Sequence, residues 1–441
     1  MRKPTANLEE CKQRRENLKT LAQGAAVIIP SHTEHIRNHD VHHSYRQDSN
    51  LFYLTGFEEP ESVLVFRPGM TPETVLFVRE KDETRETWDG FRYGPSLAKA
   101  TFQMDATYVV DDVVEKAAEL LADVEKVYYS QFRGSWFDKA FKKILTAVKI
   151  KKGRSGKGLL PVYDAYPLVG ELRLFKSDYD IQQMRTACEI SSAAHVELMK
   201  NTRPGVSERE LHGLFIYEIM KHGCAREGYG SIVAGGKNAC TLHYIFNDET
   251  LRDGDLLLVD AGGEYNYYSA DITRAWPVSG KFTPAQKRIY QKVLDLQKSL
   301  VASIQPGVIL KDHQAKAVEG LTDIMIDEKL LKGNRAELIK ENAFRKYYPH
   351  GLGHYLGLDV HDAGAYELDG QSRPYEKGMV VTVEPGIYIP HNDETAPMEL
   401  RGIGIRIEDD ILVTNEGIEN LTIKTPKEVA ELEDLVGSSN S

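Results

Sequence analysis

Acidic residues lie inside or beside apolar, strand-like segments, and this feature most restricts how the 441-residue chain can fold. Asp260 ends the apolar run in LLLVDAGG, and Asp271 precedes another run in SADITRAW. In VVTVEPG, strand alternation puts Glu384 on the face opposite Val381 and Val383. A hairpin joining the first two segments would bring two carboxylates to one site.

The segment GIGIRIEDD adds a fourth acid in a strand-like setting. Alternation turns Ile405 and Ile407 to one face, and Arg406 and Glu408 to the other. Ionised carboxylates are costly to bury unless cations compensate them. A strand end or a solvated face explains any one of these acids taken alone. Arg406 could neutralise only one of the four, so the remaining negative charge indicates a metal site.

Histidines supply further candidate ligands. The glycine-rich segment HGLGHYLGLDVHD contains His350, His354 and His361, and the LHY motif contains His243. A single histidine would more often be structural or simply exposed, but the glycines among these allow backbone segments to pack closely. Four carboxylates would balance the charge of two divalent cations. A mainly oxygen ligand set favours manganese or a similar hard ion over a thiolate-type zinc site.

Composition excludes several other classes of protein. Lys+Arg minus Asp+Glu is 55 − 66 = −11, which is unsuited to general nucleic-acid binding. The apolar runs are far shorter than the roughly 20 residues of a membrane-spanning helix, and the N-terminal segment has no apolar stretch of the signal-peptide type. We therefore expect a soluble, cytoplasmic protein without nucleic-acid or membrane partners. Its four cysteines have no zinc-ribbon or CxxC spacing, which predicts reduced thiols: Cys11, Cys188, Cys224 and Cys240.

Short apolar runs alternate with helical patterns over the first 170 residues or so, which predicts an α/β domain. The basic segment 151–158 (KKGRSGKG) is predicted to be an exposed loop. The predicted strands are 25–29, 63–66, 75–78 and 127–129, and the predicted helices are 8–21, 112–121 and 137–148.

The second region contains a repeated layout. A helix signal at Ser177 and a capping-box pattern at Ser207 and Glu210 precede a group of strands, and Thr283 begins the same order again. Pro306-Gly307-Val308 ends a helix just as Pro204-Gly205-Val206 does 102 residues earlier. We therefore predict duplicated halves with a cleft between them. The predicted strands are 231–233, 255–260, 272–276, 379–383 and 403–407, and the helices are 177–200, 207–223, 283–304 and 312–329.

At these residues the chain resembles the proline-specific metallopeptidases of the pita-bread fold, especially aminopeptidase P. The matching motifs are LHY, VDAGGEY through DITR, HGLGHYLGLDVHD, TVEPGIYI and GIGIRIEDD, together with YRQDSNLFYLTGFEEPESVL in the first region. The resemblance implies an α/β (α+β) chain with a creatinase-type N-terminal domain, residues 1–173. A C-terminal pita-bread catalytic domain, residues 174–441, would follow, with halves related by a pseudo-two-fold axis.

The resemblance also implies a set of site residues. Two divalent metal ions, most commonly Mn²⁺, would bind five side chains: Asp260, Asp271, His354, Glu384 and Glu408. Asp271 and Glu408 would bridge the ions, and Arg406 would orient Glu408. Three histidines would bind substrate, transfer protons and stabilise the tetrahedral intermediate: His243, His350 and His361. Two aromatic residues are predicted substrate contacts: Trp88 in ETWDGFRYGP and Tyr388 in TVEPGIYI.

The implied reaction is hydrolysis of the N-terminal Xaa-Pro bond of peptides by a hydroxide that bridges two metal ions. Glu384, or a water relayed by histidine, would protonate the leaving imide nitrogen. Members of the family are commonly homodimers or homotetramers. Three alternatives stay open: an Xaa-Pro dipeptidase (prolidase) with the same ligands, a non-catalytic pita-bread module that binds peptides or proteins, and a metal-independent creatinase-like hydrolase.

Overall fold

The computed structural model describes residues 3–133, 135–154 and 158–440. The chain divides into two compact units, Met1–Leu172 and Arg173–Ser441. Both units combine helices and strands, as the α/β prediction requires. None of the described helices has an apolar stretch long enough to cross a bilayer.

The first unit is built on a mixed β-sheet. Its strands are β1 (Ala25–Pro30), β2 (Ile36–Asn38), β3 (Val41–His42), β4 (Val63–Phe66), β5 (Thr74–Val78), β6 (Ala106–Val109), β7 (Lys126–Tyr128) and β8 (Val162–Tyr163). Its helices are α1 (Leu8–Leu21), α2 (Ser49–Thr55), α3 (Glu83–Asp89), α4 (Gly94–Phe102), α5 (Val113–Leu120) and α6 (Asp138–Lys152). Helix α7 (Ala165–Leu174) begins in this unit, and its last two residues belong to the second unit.

Six of these strands form one sheet in the order β6-β5-β4-β1-β7-β8. The continuous apolar runs that predicted the strands are buried, and Ile28, Val65 and Phe77 belong to the core beneath them. Helix α5 contributes Ala117 and helix α6 contributes Ile144 to the same core. The apolar runs therefore form strands because helices cover the sheet face.

The predicted loop 151–158 was partly wrong. Helix α6 continues through Lys151 and Lys152, and its last turn also contains Lys149. Cations in the last turn interact favourably with the negative end of the helix dipole, so the basic run extends the helix. Residues 155–157 lie outside the described residues.

The second unit contains the predicted motifs. Its helices are α8 (Asp178–Asn201), α9 (Glu208–Lys221), α10 (Pro284–Ala302), α11 (Leu310–Asp327), α12 (Arg335–Lys340) and α13 (Val429–Leu435). Its strands are β9 (Arg226–Glu227), β10 (Ile232–Gly235), β11 (Leu256–Asp260), β12 (Gly263–Tyr265), β13 (Tyr268–Ser269), β14 (Thr273–Pro277), β15 (Glu367–Leu368), β16 (Gln371–Ser372), β17 (Val380–Val383), β18 (Gly386–Tyr388), β19 (Gly404–Arg406), β20 (Asp409–Val413) and β21 (Ile418–Asn420).

The helix starts follow from local hydrogen bonding. Ser207 accepts from the backbone N–H of Glu210, whose carboxylate accepts from the Ser207 N–H, so the predicted capping box is confirmed. Ser177 and Asp180 form a second capping box at the start of α8. Each pair satisfies backbone donors that a helix start leaves unpaired.

The same order of elements occurs twice in this unit. Helices α8 and α9 precede the antiparallel sheet β10-β11-β14, and helices α10 and α11 precede the antiparallel sheet β17-β20-β21. Gly205 (φ +91°) donates its N–H to Leu251 at 2.9 Å, and Gly307 (φ +92°) donates to Tyr375 at 2.8 Å. The predicted repeat therefore extends to the conformation of its turns.

Candidate active site

The four acids of the sequence analysis occupy equivalent places in the two sheets. Asp260 is the last residue of β11, and Asp271 lies just before its antiparallel partner β14. Glu384 directly follows β17, and Glu408 directly precedes its antiparallel partner β20. Strand pairing thus brings the two acids of each half together, as predicted for the first pair.

Three hydrogen bonds join segments of one half to segments of the other. The backbone N–H of Glu408 donates to the Thr273 carbonyl at 3.0 Å, and the Thr273 hydroxyl donates to Glu408 Oε2 at 2.5 Å. The backbone N–H of Asp271 donates to Asp410 Oδ2 at 3.0 Å. All four acids consequently reach one site.

That site is a cavity of about 670 Å³ within the second unit. Nine of the predicted site residues line it: His243, Asp260, Asp271, His350, His354, His361, Glu384, Arg406 and Glu408. Its wall also includes apolar side chains, among them Leu242, Ile245 and Val360. Polar groups therefore converge on a pocket of a size suited to a small ligand or a peptide end.

Asp271, His354 and Glu408 form a group that could hold a metal ion. Each offers one ligand atom, and these atoms all lie within 4.8 Å of one another. His354 Nε2 is 3.3 Å from Asp271 Oδ2 and 3.8 Å from Glu384 Oε1. His354 Nδ1 is 3.0 Å from the Tyr355 carbonyl and donates to it, which leaves Nε2 for a metal.

The electrostatics of the site fit a cationic occupant. Burial raises the pKa of Glu408, and the nearby Asp271 and Glu384 carboxylates raise it further. Burial likewise raises the pKa of Glu384, to about 8. Burial opposes protonation of His354, but the hydrogen bond and charge of Asp271 outweigh it and raise its pKa to about 9. In the absence of metal, Glu384 and His354 thus bind protons at neutral pH, and divalent cations would displace these protons.

Arg406 contacts one acid of the site directly and another through a hydroxyl group. Its Nη2 pairs with Asp260 Oδ2 at 2.5 Å, and its Nε donates to the Thr273 hydroxyl at 3.1 Å. The Thr273 hydroxyl in turn donates to Glu408, so Thr273 links Arg406 to Glu408. The role of Arg406 in orienting Glu408 stays a prediction.

Tyr388 was predicted to contact substrate, but it is buried at 3% exposure and is not among the residues that line the cavity. Its hydroxyl accepts from Arg406 Nη1 and donates to His350 Nε2, both at 2.8 Å. Tyr388 therefore supports Arg406 and His350 at the cavity wall, and its role as a substrate contact stays a prediction. Burial, with the charge of Arg406, lowers the pKa of His350 to about 4.

The other predicted residues lie in different settings. The ring of His361 packs against that of His354, with centroids 4.4 Å apart. His243 is exposed at the cavity wall. Trp88 belongs to α3 of the first unit and is 83% exposed. Its role as a substrate contact stays a prediction.

Two residues of the site were missed. The Tyr229 hydroxyl lies 2.6 Å from Oδ1 of both Asp260 and Asp271. Thr273 links Arg406 to Glu408 through its hydroxyl. Nothing in the segment EGYGS marks Tyr229, whereas the position of Thr273 opposite Asp260 could have been read from the predicted hairpin.

Comparison with known proteins places this geometry in a family. The Xaa-Pro aminopeptidase of Haemophilus influenzae is 39% identical, with 97% of each chain covered. The structure of the aminopeptidase PepP of Pseudomonas aeruginosa has a TM-score of 0.94 and 40% identity, with 99% of each chain covered. A zinc-substituted Escherichia coli aminopeptidase P in complex with product has a TM-score of 0.92 and 40% identity, with 98% of each chain covered.

Two family models match the chain, and each match lies within one of the two compact units. Residues 11–128 match the aminopeptidase P N-terminal domain, and residues 182–415 match metallopeptidase family M24. The second match contains all the acids and histidines of the cavity. This chain therefore belongs to metallopeptidase family M24, with an N-terminal domain of the aminopeptidase P type.

Proposed function

We infer that the protein is a metal-dependent aminopeptidase that hydrolyses the N-terminal Xaa-Pro bond of peptides. The relatives named Xaa-Pro aminopeptidase match nearly its whole length, and its family is one of metallopeptidases. The observation that carries the inference is the convergence of four carboxylates and His354 on one cavity. Such a group is suited to divalent metal and to hydrolysis.

We propose that two divalent ions bind in this cavity and that Mn²⁺ is the ion with which the protein works best. Asp271 and Glu408 would be shared, Asp260 would complete one site, and His354 with Glu384 would complete the other. Four carboxylates carry −4, which two dications balance. Arg406 adds a positive charge beside Asp260, so the site favours the negative charge that develops in acyl transfer.

Bound divalent ions would lower the pKa of a water molecule and polarise the scissile carbonyl. The chain's own residues would then move the protons. Glu384 Oε2 lies 3.6 Å from His350 Nδ1, so a carboxylate and a histidine stand side by side at the wall. Glu384 would take a proton from the attacking water and deliver it to the leaving imide nitrogen. His243 and His361 would bind the substrate and stabilise its developing negative charge.

Recognition of proline requires shape, because the imide nitrogen of an Xaa-Pro bond has no hydrogen to donate. Leu242, Ile245 and Val360 give the cavity an apolar wall on which a pyrrolidine ring could pack. We therefore propose that these side chains help select proline at the second position.

The experiment compares an Xaa-Pro dipeptide with an Xaa-Pro-Yaa-Zaa peptide of the same first residue, in Mn²⁺ and after chelation, with both products identified. We expect release of the first residue from the longer peptide, and loss of this activity on chelation or in Glu384→Ala. Cleavage of the dipeptide alone would identify a prolidase. Activity equal to that of the metal-loaded wild type, either in Glu384→Ala or after chelation, would contradict metal-dependent hydrolysis.

We also propose a cytoplasmic homodimer or homotetramer. No disulfide joins the four cysteines, as is typical of a protein in a reducing compartment: Cys11, Cys188, Cys224 and Cys240. Light scattering of the purified protein gives the number of subunits, and cell fractionation gives the compartment.

A further inference from the structure

The loop that carries His361 is anchored by four charged side chains, here called the ion cluster: Arg173, Lys176, Asp359 and Asp362. Arg173 Nη2 lies 2.7 Å from Asp359 Oδ2 and also contacts Asp362 Oδ1. Lys176 Nζ lies 2.9 Å from Asp362 Oδ2. The side chains of Arg173, Lys176 and Asp362 are at most 2% exposed. Two cations thus hold the loop at Asp362, the residue after His361.

Backbone contacts fix the same loop at other points. Asp362 donates its N–H to the Tyr355 carbonyl at 2.8 Å, and Ser269 donates to the Gly357 carbonyl at 2.9 Å. A Cβ atom on Gly357 would lie 2.2 Å from Asp362 Oδ2 and 3.0 Å from Lys176 Cε. The ion cluster therefore occupies the space beside Gly357, which explains a glycine at that position.

His361 lies between this anchor and the candidate metal ligands. Its ring packs at 78° against the ring of His354, while its own side chain is exposed at the cavity. Because the His361 ring is exposed, few neighbouring side chains fix it, and its position depends on the backbone of its loop. Asp362 is the adjoining residue and is held on both of its carboxylate oxygens.

A buried ion pair is weak evidence for stability, since apolar residues of similar volume often stabilise a fold as well. Directional bonds to both oxygens of one carboxylate do more than apolar packing could, because they fix the orientation of the loop. The reaction is sensitive to the placement of its groups, and displacement by about 1 Å can cost about a hundredfold in rate.

We propose that Arg173 and Lys176 are positioning residues, which hold His361 through Asp362 at the place where it acts on the substrate. The proposal rests on the role assigned to His361 under the proposed function. Arg173 and Lys176 differ in burial from the cations of exposed ion pairs in the same unit, such as Lys424 with Glu189, for which we expect no such role.

The test is a double-mutant cycle between Lys176→Met and His361→Ala in the Mn²⁺-loaded protein, with kcat and KM measured on an Xaa-Pro-Yaa-Zaa peptide. We expect Lys176→Met to lower kcat/KM about tenfold in the unaltered background, with metal content unchanged. In the His361→Ala background the same substitution should cause less than a twofold fall. Lys176→Arg should restore most of the activity, and Lys424→Met is the matched control that should leave it unchanged.

An undiminished effect of Lys176→Met in the His361→Ala background, or loss of bound metal, would overturn the proposal. Wild-type activity in Lys176→Met would overturn it as well. Should Lys176→Met not fold, Asp359→Asn removes the half-exposed member of the ion cluster and enters the same cycle with the same expectations. Full activity of His361→Ala would instead contradict the role of His361 in the proposed function. Impaired activity of His361→Ala together with wild-type activity of Lys176→Met would contradict only the positioning role of Lys176.

Discussion

At the scale of single residues, one hydroxyl group lies within hydrogen-bond distance of two acids of the site. Tyr229 lies 2.6 Å from Oδ1 of both Asp260 and Asp271. A phenol has one proton and can donate to only one carboxylate at a time. Burial raises the pKa of Tyr229, and the neighbouring carboxylates raise it further, so the hydroxyl keeps its proton. Tyr229 therefore orients ligand atoms that would otherwise repel each other.

Tyr229→Phe should weaken metal binding by about 10–100-fold, since the partners of metal ligands commonly contribute that much. The measurement is a titration of the metal-free protein with Mn²⁺, followed by calorimetry and by recovery of activity. Tyr129→Phe is the matched control, because the Tyr129 hydroxyl makes an equally short bond of 2.6 Å to Asp138 in the first unit. Equal affinity in Tyr229→Phe and wild type would contradict the role.

The sequence predicts which residue types meet in this site better than it predicts their partners. Strand alternation correctly put Arg406 and Glu408 on the same face, but Arg406 pairs with Asp260 from the other half. Such a partner depends on how the two sheets pack together, which is a long-range property. Tyr229 was missed for the same reason, because its contacts lie 31 and 42 residues away along the chain.

At the scale of elements, the loop of residues 350–362, which carries three histidines of the site, lies close against strand β17. The His354 carbonyl accepts from the Thr382 N–H at 2.9 Å, and the Leu352 carbonyl accepts from the Glu384 N–H at 2.8 Å. A Cβ atom on Gly353 would lie 2.0 Å from the Thr382 carbonyl oxygen. The absence of a side chain at Gly353 therefore lets the loop bring His354 beside Glu384.

Gly353→Ala should displace the loop from β17, because a methyl group there overlaps backbone atoms that cannot rotate away. We expect a loss of about 2–3 kcal/mol in the free energy of unfolding, together with weakened metal binding. Urea unfolding and a Mn²⁺ titration measure the two effects.

Gly213→Ala is the control for that substitution. Gly213 lies within α9, and apart from its chain neighbours and the nearby backbone of that helix, no described atom is within 4 Å of a Cβ built there. Alanine should stabilise the helix by about 0.5–1 kcal/mol. Similar effects of the two substitutions would contradict the argument from close packing.

Helices with local signals were predicted more accurately than elements that depend on neighbours. The capping boxes at Ser177 and Ser207 determine where α8 and α9 begin. The sequence predicted a helix start at Ser177 and a capping box at Ser207. Short strands such as β12 and β13 were not predicted, because a strand of two or three residues is defined by its partner. Residues 151–152 were assigned to a loop because their charge was given more weight than the helix before them.

At the scale of the whole molecule, the metal-free protein carries protons that its unfolded chain would release. The pKa of Glu384 is raised to about 8 and that of His354 to about 9. Between pH 6.5 and 8.5 the folded state therefore holds more protons than the unfolded state. Stability must fall as pH rises through this range.

We expect the free energy of unfolding of the chelator-treated protein to fall by on the order of 2 kcal/mol from pH 6.5 to 8.5. Metal binding replaces these protons, so Mn²⁺-saturated protein should hold its stability over the same range. Differential scanning calorimetry measures both forms, and the gap in Tm should widen with pH. Parallel curves would contradict the assignment. Three histidines with pKa values of about 4 oppose the trend, chiefly below about pH 7, where the unfolded histidines still bind protons: His195, His313 and His350.

Each half of the second unit supplies two of the four acids, so neither half alone contains the complete set. The four acids alone would therefore make a site with equivalent ligands on its two sides. His354 belongs to the second half, and it joins Asp271 and Glu408 in the candidate metal group. This one imidazole makes the two sides unequal, so two ions bound there would have different ligands and different affinities.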